Sequence, residues 1–161
     1  MTDPKQTAEE FDLRAGEVQI SLPESLDAGL YFIGRIRTPW RTRAECPKNP
    51  REAGNAISTI ELDARYAAGL WGLEPGSRIV VLYFMDRARR DLVVQVPRHL
   101  GEPRGTFALR SPVRPNPIAV SAVELLSIDG NRLSVRGLDC LDGTPLIDIK
   151  PYRPAVDTAD R

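Results

Sequence analysis

The chain has 161 residues and a mass of 17.9 kDa, which is enough for one domain with its own hydrophobic core. Its hydrophobic share of 42% is typical of a globular protein, and no apolar run approaches the ~20 residues of a membrane span. We therefore expect no membrane partner. The first ten residues are acidic and polar, unlike a secretory signal, so a cytoplasmic location is expected.

The charge is unevenly distributed although the formal net charge is zero. Residues 1–30 hold seven acidic and two basic residues, so the remaining chain carries a net charge of +5. Nearly all of the basic residues in that remainder are arginines. Arginine suits phosphate and carboxylate groups, which permits a nucleic-acid partner but also fits an ordinary solvated surface. Two cysteines and one histidine form no zinc-like cluster, and we expect no metal site.

The predicted elements are mainly strands. Residues 1–28 are interpreted as an acidic N-terminal extension, followed by short apolar runs rich in β-branched residues. Asp129-Gly130 is typical of a hairpin turn, and Leu62–Leu70 is the one predicted core helix. No segment is long enough for βαβ crossovers, so the pattern predicts a mostly antiparallel barrel or sandwich. The predicted runs are Leu30–Ile36, Ala56–Leu62, Ile79–Met85, Leu92–Val96, Ile118–Ile128 and Leu133–Leu138.

The stretch Phe107–Ile118 is unusually rich in proline. Its prolines fix their own φ angles and extend the residues before them, so the loop is stiff. In a strand-like backbone, Arg110, Arg114 and Asn116 would share one face and suit an anionic ligand. In polyproline geometry they would not converge, and a rigid loop with solvated arginines is the alternative.

A second polar stretch runs from Leu138 to Tyr152. Alternation there places Asp148, Lys150 and Tyr152 on one face of a predicted strand. Asp148 and Lys150 also fit a simple surface ion pair, and Asp139 equally fits a turn-forming role.

Together with residues 33–39, these stretches resemble the TrmO family, also called TsaA-like or VirR-like. The family's motifs read IGxIRSP, FATRSPxRPNPIG and LDxxDGTPxxDIKPY; this chain has IGRIRTP, FALRSPVRPNPIA and LDCLDGTPLIDIKPY. The resemblance implies an all-β fold, mainly an antiparallel β-barrel with short helical segments. The expected domain spans residues 29–155, with a C-terminal tail at 156–161.

The resemblance further implies a homodimeric, S-adenosylmethionine-dependent methyltransferase that modifies N6 of threonylcarbamoyladenosine beside a tRNA anticodon. A methyltransferase acting on a small molecule or protein, and a non-catalytic S-adenosylmethionine-binding module, are the alternatives. The acceptor nitrogen loses a proton in this reaction, and the proton could pass to an aspartate such as Asp139, to a buried tyrosine or to water. Arg114, Asn116, Lys150 and Tyr152 are the substrate-binding candidates. The implied cofactor-binding residues are Pro47, Lys48, Asn49, Met85, Asp86, Arg110, Val120, Leu138, Asp139, Cys140 and Leu141.

Overall fold

The computed structural model describes residues 12–49 and 51–158, in which nine strands carry most of the regular structure. None of the described helices is long and apolar enough to cross a membrane. The predicted core helix is a 3₁₀ segment, Ala64–Leu70, capped by the side chain of Asp63, and a short helix α1 follows at Pro154–Asp157. The strands are β1 (Val18–Gln19), β2 (Gly34–Arg37), β3 (Ile57–Leu62), β4 (Arg78–Phe84), β5 (Leu92–Gln95), β6 (Arg104–Gly105), β7 (Ile118–Asp129), β8 (Arg132–Arg136) and β9 (Thr144–Pro151).

Six strands close into a barrel in the order β2-β3-β8-β7-β4-β9, and every neighbouring pair is antiparallel. The predicted all-β fold class is confirmed, and of the two predicted architectures the structure is the barrel and not the sandwich. The predicted hairpin is also confirmed, because β7 and β8 pair across a turn in which Gly130 adopts a φ of 59°.

The barrel interior is filled by alternate residues of the strands. In β4, Ile79, Val81 and Tyr83 are buried while their neighbours are not, which is the period of two expected for a strand with one buried face. Three further strands contribute buried residues at the same period, among them Val123, Leu125 and Leu133. The strand pattern of the sequence therefore sets the inside and the outside of the barrel.

Gly34 permits the close approach of β2 and β3. A Cβ atom at this position would lie 2.3 Å from the carbonyl oxygen of Glu61 and 2.9 Å from the Cα of Leu62. Both atoms belong to the paired strand and cannot rotate away, so only glycine fits. This explains the glycine of the IGRIR segment by backbone packing.

The described residues fall into two units. The barrel unit comprises residues 29–49, 51–86 and 118–158. The inserted unit comprises residues 12–28 and 87–117, so the chain leaves the barrel unit after β4 and re-enters it at β7. The domain boundaries suggested by the sequence, at residues 29 and 155, stay a prediction.

The inserted unit is a three-stranded antiparallel sheet in the order β1-β5-β6. The Glu17 side chain is 2% exposed and accepts hydrogen bonds from the backbone N–H of Arg14 (3.0 Å) and Val96 (3.4 Å). Arg89 and Asp91 form an ion pair of 2.7 Å, and this bond lowers the pKa of Asp91 to about 2. Residues just before β1 are thus tied to the end of β5.

Candidate functional site

Three connections between barrel strands begin and finish at one end of the barrel, which we call the loop end. Because the strands alternate in direction, β2, β4 and β8 finish at this end, and β3, β7 and β9 begin there. The opposite end carries the β7–β8 turn and is called the hairpin end. Within the barrel unit, the topology brings three predicted cofactor-binding stretches to the loop end: 47–49, 85–86 and 138–141.

The turn that precedes β9 is anchored on the end of β2. Thr38 Oγ1 donates to the carbonyl oxygen of Cys140 at 2.9 Å, and the Thr38 N–H donates to Asp142 Oδ1 at 3.2 Å. The Gly143 N–H donates to the carbonyl oxygen of Ile36 at 2.8 Å. The IGRIRTP and LDCLDGTP motifs are therefore in direct contact, which fixes the backbone around Asp139.

Asp139 reaches a hydroxyl group inside the barrel. The Tyr83 hydroxyl, in a side chain only 3% exposed, donates to Asp139 Oδ1 at 3.1 Å and lies 2.9 Å from Ser121 Oγ. Burial and the negative charge of Asp139 raise the pKa of Tyr83 far above its usual value. Burial, followed by the same charge, also raises the pKa of Cys46 in the β2–β3 loop. The charge of Asp139 thus affects titratable groups on two elements, β4 and the β2–β3 loop.

The two neighbours of Asp139 pack into the core. Leu138 and Cys140 are each 1% exposed, so only their backbone groups are placed to contact a ligand. Burial raises the pKa of the Cys140 thiol to about 12, against the opposing effect of its hydrogen bond with Thr144, so the thiol stays protonated near neutrality. Leu141 is half-buried, and its carbonyl oxygen accepts the Thr144 hydroxyl at 2.7 Å.

The stretch 47–49 forms a tight turn. The Asn49 side chain accepts hydrogen bonds from the backbone N–H groups of Arg51 and Glu52 at 3.0 and 3.1 Å, which is an Asx-type turn. Glu52 in turn accepts the Lys48 N–H at 3.0 Å, and the Lys48 side chain is exposed. Pro47 is half-buried and follows Cys46. This turn therefore begins beside the thiol whose pKa is raised in part by the charge of Asp139.

The remaining cofactor candidates of the barrel unit lie where β4 ends and β7 begins. Met85 packs against the core, and Asp86 is exposed. Val120 is 47% exposed on the outer face of β7, whereas its neighbour Ser121 faces the interior. A ligand contact by the Val120 side chain would therefore lie on a different face from Tyr83.

Arg110, Arg114 and Asn116 belong to the inserted unit. Their loop bends repeatedly and does not run as a strand, so the shared face that a strand would give is absent. Arg114 Nη1 donates to the carbonyl oxygens of Leu109 (3.1 Å) and Ser111 (3.0 Å), and Asn116 Oδ1 accepts from Arg90 at 3.1 Å. Arg110 is exposed. The proline-rich loop thus uses two of its predicted binding residues to hold its own shape.

A buried glutamine holds the proline-rich loop by a hydrogen bond to its backbone. Gln95 is 6% exposed, and its Nε2 donates to the Val113 carbonyl oxygen at 2.6 Å and to Thr106 Oγ1 at 2.8 Å. Thr106, 1% exposed, donates a hydrogen bond from its hydroxyl to the Leu92 carbonyl oxygen at 3.1 Å. The prolines and this buried pair together make the loop rigid.

Lys150 and Tyr152 lie at the hairpin end. Lys150 pairs with Val80 and Tyr152 follows β9 beside Arg78, whereas Leu146 pairs with Tyr83 at the loop end. Four residues of strand separate Leu146 from Lys150, roughly 13 Å. Lys150 Nζ lies 2.7 Å from Asp148 Oδ2, the ion pair considered from the sequence. The barrel does not bring these two candidates together with Asp139.

Sequence reasoning did not single out Tyr83 or Ser121. The signal that marks them is a polar residue at an inward position of a strand, where Ile79, Val81 and Val123 are aliphatic. Within the described ranges 12–49 and 51–158, no three His, Cys, Asp or Glu residues cluster as metal ligands.

A family model described as the tRNA-methyltransferase O N-terminal domain matches residues 35–158. The chain belongs to the TrmO family. The match begins in β2 and extends through β9, so the whole barrel and the inserted loops 87–117 are included.

Curated relatives support this membership. The chain is 49% identical over 141 residues, 88% of its own length and 80% of the relative's, to a probable S-adenosyl-L-methionine-binding protein VirR of Rhizobium radiobacter. It is 45% identical over 129 residues, 80% of this chain and 92% of the relative, to an S-adenosyl-L-methionine-binding protein of Archaeoglobus fulgidus.

The fold also matches solved structures of TrmO. A crystal structure of TrmO from Pseudomonas aeruginosa superposes with a TM-score of 0.68 at 36% identity, covering 84% of this chain. The present chain spans 59% of that protein's length.

Proposed function

We propose that this TrmO-family chain is an S-adenosylmethionine-dependent methyltransferase that modifies N6 of threonylcarbamoyladenosine beside a tRNA anticodon. Family membership and the names of the relatives support the reaction class. The observation that carries the proposal is that the stretches 47–49, 85–86 and 138–141 all lie in connections at one barrel end, where the Asp139 carboxylate accepts a hydrogen bond from Tyr83.

The residues of the loop end fit such a cofactor chemically. S-adenosylmethionine supplies a methyl group bound to a positively charged sulfur, which makes the methyl carbon open to attack by a nitrogen. The negative charge of Asp139 lies close enough to Tyr83 and Cys46 to contribute to the raised pKa of both groups, and a half-buried negative charge favours a cation beside it. The backbone around Asp139 is held by Thr38 and therefore presents fixed groups to a ligand.

Asp139 is the residue we assign to receive the proton of the acceptor nitrogen. A base must be able to accept a proton near neutrality. Tyr83 is the buried tyrosine nearby, but its raised pKa keeps it protonated, so it acts as a donor only. The carboxylate of Asp139 is half-buried and accepts a hydrogen bond from that donor, and we therefore choose it over Asp86, the exposed carboxylate at the end of β4.

We assign tRNA contacts to Arg114, Asn116, Lys150 and Tyr152 and keep Arg110 as a cofactor contact. Lys150 is 61% exposed, and its ion pair with Asp148 is worth about 0–1 kcal/mol, so a phosphate group can replace the carboxylate at little cost. Its place at the hairpin end suits a large substrate that extends beyond the reaction centre. A homodimer in the cytoplasm completes this proposal.

A non-catalytic S-adenosylmethionine-binding module is the second candidate. It is favoured by the names of two relatives, which state binding without transfer. A methyltransferase acting on a small molecule or a protein remains the third candidate.

The test uses the full chain with isotopically labelled methyl donor. Donor affinity is measured by calorimetry, and transfer is measured with total tRNA from cells lacking the gene. We expect donor binding and label in N6-methylated threonylcarbamoyladenosine. The Asp129→Asn variant, changed at an exposed carboxylate of the hairpin end, serves as control and should label the same nucleoside at the same rate.

Each candidate gives a different result. Donor binding with no labelled tRNA supports the module, or another acceptor if label enters protein or a small molecule. Absence of donor binding overturns the cofactor assignment. A tRNA substrate also predicts that affinity for tRNA falls steeply with salt, because phosphate contacts release counterions.

A further inference from the structure

Three side chains form a continuous hydrogen-bonded chain from the barrel interior to its loop end. Ser121 Oγ lies 2.9 Å from the Tyr83 hydroxyl, which donates to Asp139 Oδ1 at 3.1 Å. Ser121 and Tyr83 are 7% and 3% exposed, and Asp139 is half-buried. We propose that Tyr83, supported by Ser121, is a positioning residue that holds the Asp139 carboxylate ionised and in a fixed orientation. This rests on the proposed function, in which Asp139 receives the proton.

The direction of the chain follows from counting protons. An ionised carboxylate can only accept hydrogen bonds, and a tyrosine hydroxyl has a single proton. The proton of Tyr83 therefore points to Asp139, and the lone pair of the Tyr83 oxygen must accept the proton of Ser121. Because each hydrogen bond polarises the next, the bond from Ser121 strengthens the hydrogen bond that Tyr83 donates to Asp139.

The Tyr83 hydroxyl can play this part across the physiological pH range. Burial and the charge of Asp139 disfavour the phenolate, so Tyr83 keeps its proton. Asp139 also acts on Cys46, in the β2–β3 loop, and on Cys140, its neighbour in the chain. The pKa values of both thiols are raised, chiefly by burial, so both remain neutral near pH 7.

Packing does not require the hydroxyl. A phenylalanine has nearly the same shape and would fill the same interior position on β4, the strand that pairs with β7 on one side and β9 on the other. A hydroxyl at 3% exposure must instead find partners, since a buried polar group without one is costly. Here the partners are a serine and the one carboxylate assigned to the reaction.

The decisive variant is Tyr83→Phe, with Tyr66→Phe as matched control. Tyr66 packs against the same core from the 3₁₀ segment that follows β3, at the hairpin end. In Tyr83→Phe we expect kcat to fall about tenfold with little change in KM, the factor expected for one lost hydrogen bond to a charged group. The acidic limb of the pH profile should move to higher pH, because the ionised carboxylate loses its donor.

A second readout needs neither cofactor nor substrate. The side-chain carboxyl carbon of Asp139 is followed by NMR against pH in the unliganded protein. Its titration midpoint should move upward in Tyr83→Phe, move upward less in Ser121→Ala, and stay unchanged in Tyr66→Phe. Ser121→Ala keeps the tyrosine in place and therefore provides the test if Tyr83→Phe does not fold.

The inference is overturned if Tyr83→Phe or Ser121→Ala lowers thermal stability but leaves the Asp139 midpoint and the acidic limb where they are in the wild type. Tyr83 would then be a packing residue only. If the wild type transfers no methyl group, the proposed function fails, while the NMR titration still decides whether the hydroxyl chain acts on Asp139.

Discussion

The two ends of the barrel differ in what they bury. At the hairpin end the inward positions are aliphatic, whereas all buried hydroxyl side chains of the barrel unit's described residues lie toward the loop end. The hairpin-end set is Leu62, Ile79, Leu125 and Leu133; the loop-end set is Ser58, Tyr83, Ser121 and Thr144. Three strands, β3, β4 and β7, contribute one residue to each set.

The difference separates stability from chemistry. Aliphatic side chains stabilise the barrel through burial, at about 25 cal/mol per Å² of apolar surface removed from water. Buried hydroxyls contribute less to stability and are costly where they lack a hydrogen-bond partner, but they can orient a charged group such as Asp139. We infer that the hairpin end holds the barrel closed and that the loop end is kept polar for binding.

The largest effect is expected for Asp139→Asn. Removing a proton acceptor lowers the rate of methyl transfer by about 10²- to 10⁴-fold. The amide has the same shape and can still accept the Tyr83 hydroxyl, so the melting temperature should change little. Transfer assays and thermal melts measure both effects, with Asp129→Asn as control. A rate within twofold of wild type would remove Asp139 from the reaction.

At the hairpin end, Leu133→Ala should act on stability alone. Truncating this fully buried leucine leaves a cavity and costs about 2–5 kcal/mol of unfolding free energy. Leu26→Ala, at a side chain 75% exposed, is the matched control and should cost little. Urea denaturation gives the free energies and calorimetry gives donor affinity. Weaker donor binding by folded Leu133→Ala protein would contradict the division between the ends.

A smaller effect of opposite sign is expected for Ser58→Ala. The Ser58 side chain is buried, and its hydroxyl has no hydrogen-bond partner among residues 12–49 and 51–158. Its removal should therefore raise stability by about 1 kcal/mol. Ser121→Ala, which removes a hydroxyl that is bonded to Tyr83, should lower stability by a similar amount. If Ser58→Ala is the more destabilising of the two, the Ser58 hydroxyl stabilises the folded protein and the prediction is wrong.

The smallest effect concerns the reactivity of Cys46. Burial, and then the negative charge of Asp139, raise the pKa of this thiol, so Asp139→Asn should lower that pKa and increase the thiolate fraction. Alkylation of Cys46 at pH 8 should become faster, as measured by mass spectrometry. Cys140, with a pKa of about 12 and 1% exposure, should stay unlabelled. An alkylation rate equal to that of Asp129→Asn would place Asp139 away from the thiol.

The barrel strands could be predicted because they carry their own apolar patterns, whereas the two-residue strands β1 and β6 were not predicted. The predicted run Ile118–Ile128 corresponds to β7 and the run Ile79–Met85 to β4, both within one or two residues. The run Leu30–Ile36 was less accurate, because its first apolar residues are exposed and only Gly34–Arg37 forms a strand. Hydrophobic side chains outside the barrel do not follow the alternation on which the prediction rests.

The site could be predicted only in part. The motif residues around Asp139 were identified, but the Tyr83–Asp139 hydrogen bond joins positions 56 residues apart and depends on how the barrel closes. The strand-like face suggested for Arg114 and Asn116 also depends on backbone bends that the prolines do not specify. Local patterns determine which residues face inward, whereas register determines which of them meet.

We propose that the loop end of the barrel binds the methyl donor. The direct measurement is a titration of the ¹⁵N-labelled protein with S-adenosylmethionine, followed by amide NMR shifts. We predict that the largest shifts fall in residues 47–49, 85–86 and 138–141, while residues 129–132 of the β7–β8 turn do not respond. Saturable shifts centred on the hairpin end, with the stretch 138–141 unchanged, would contradict the account.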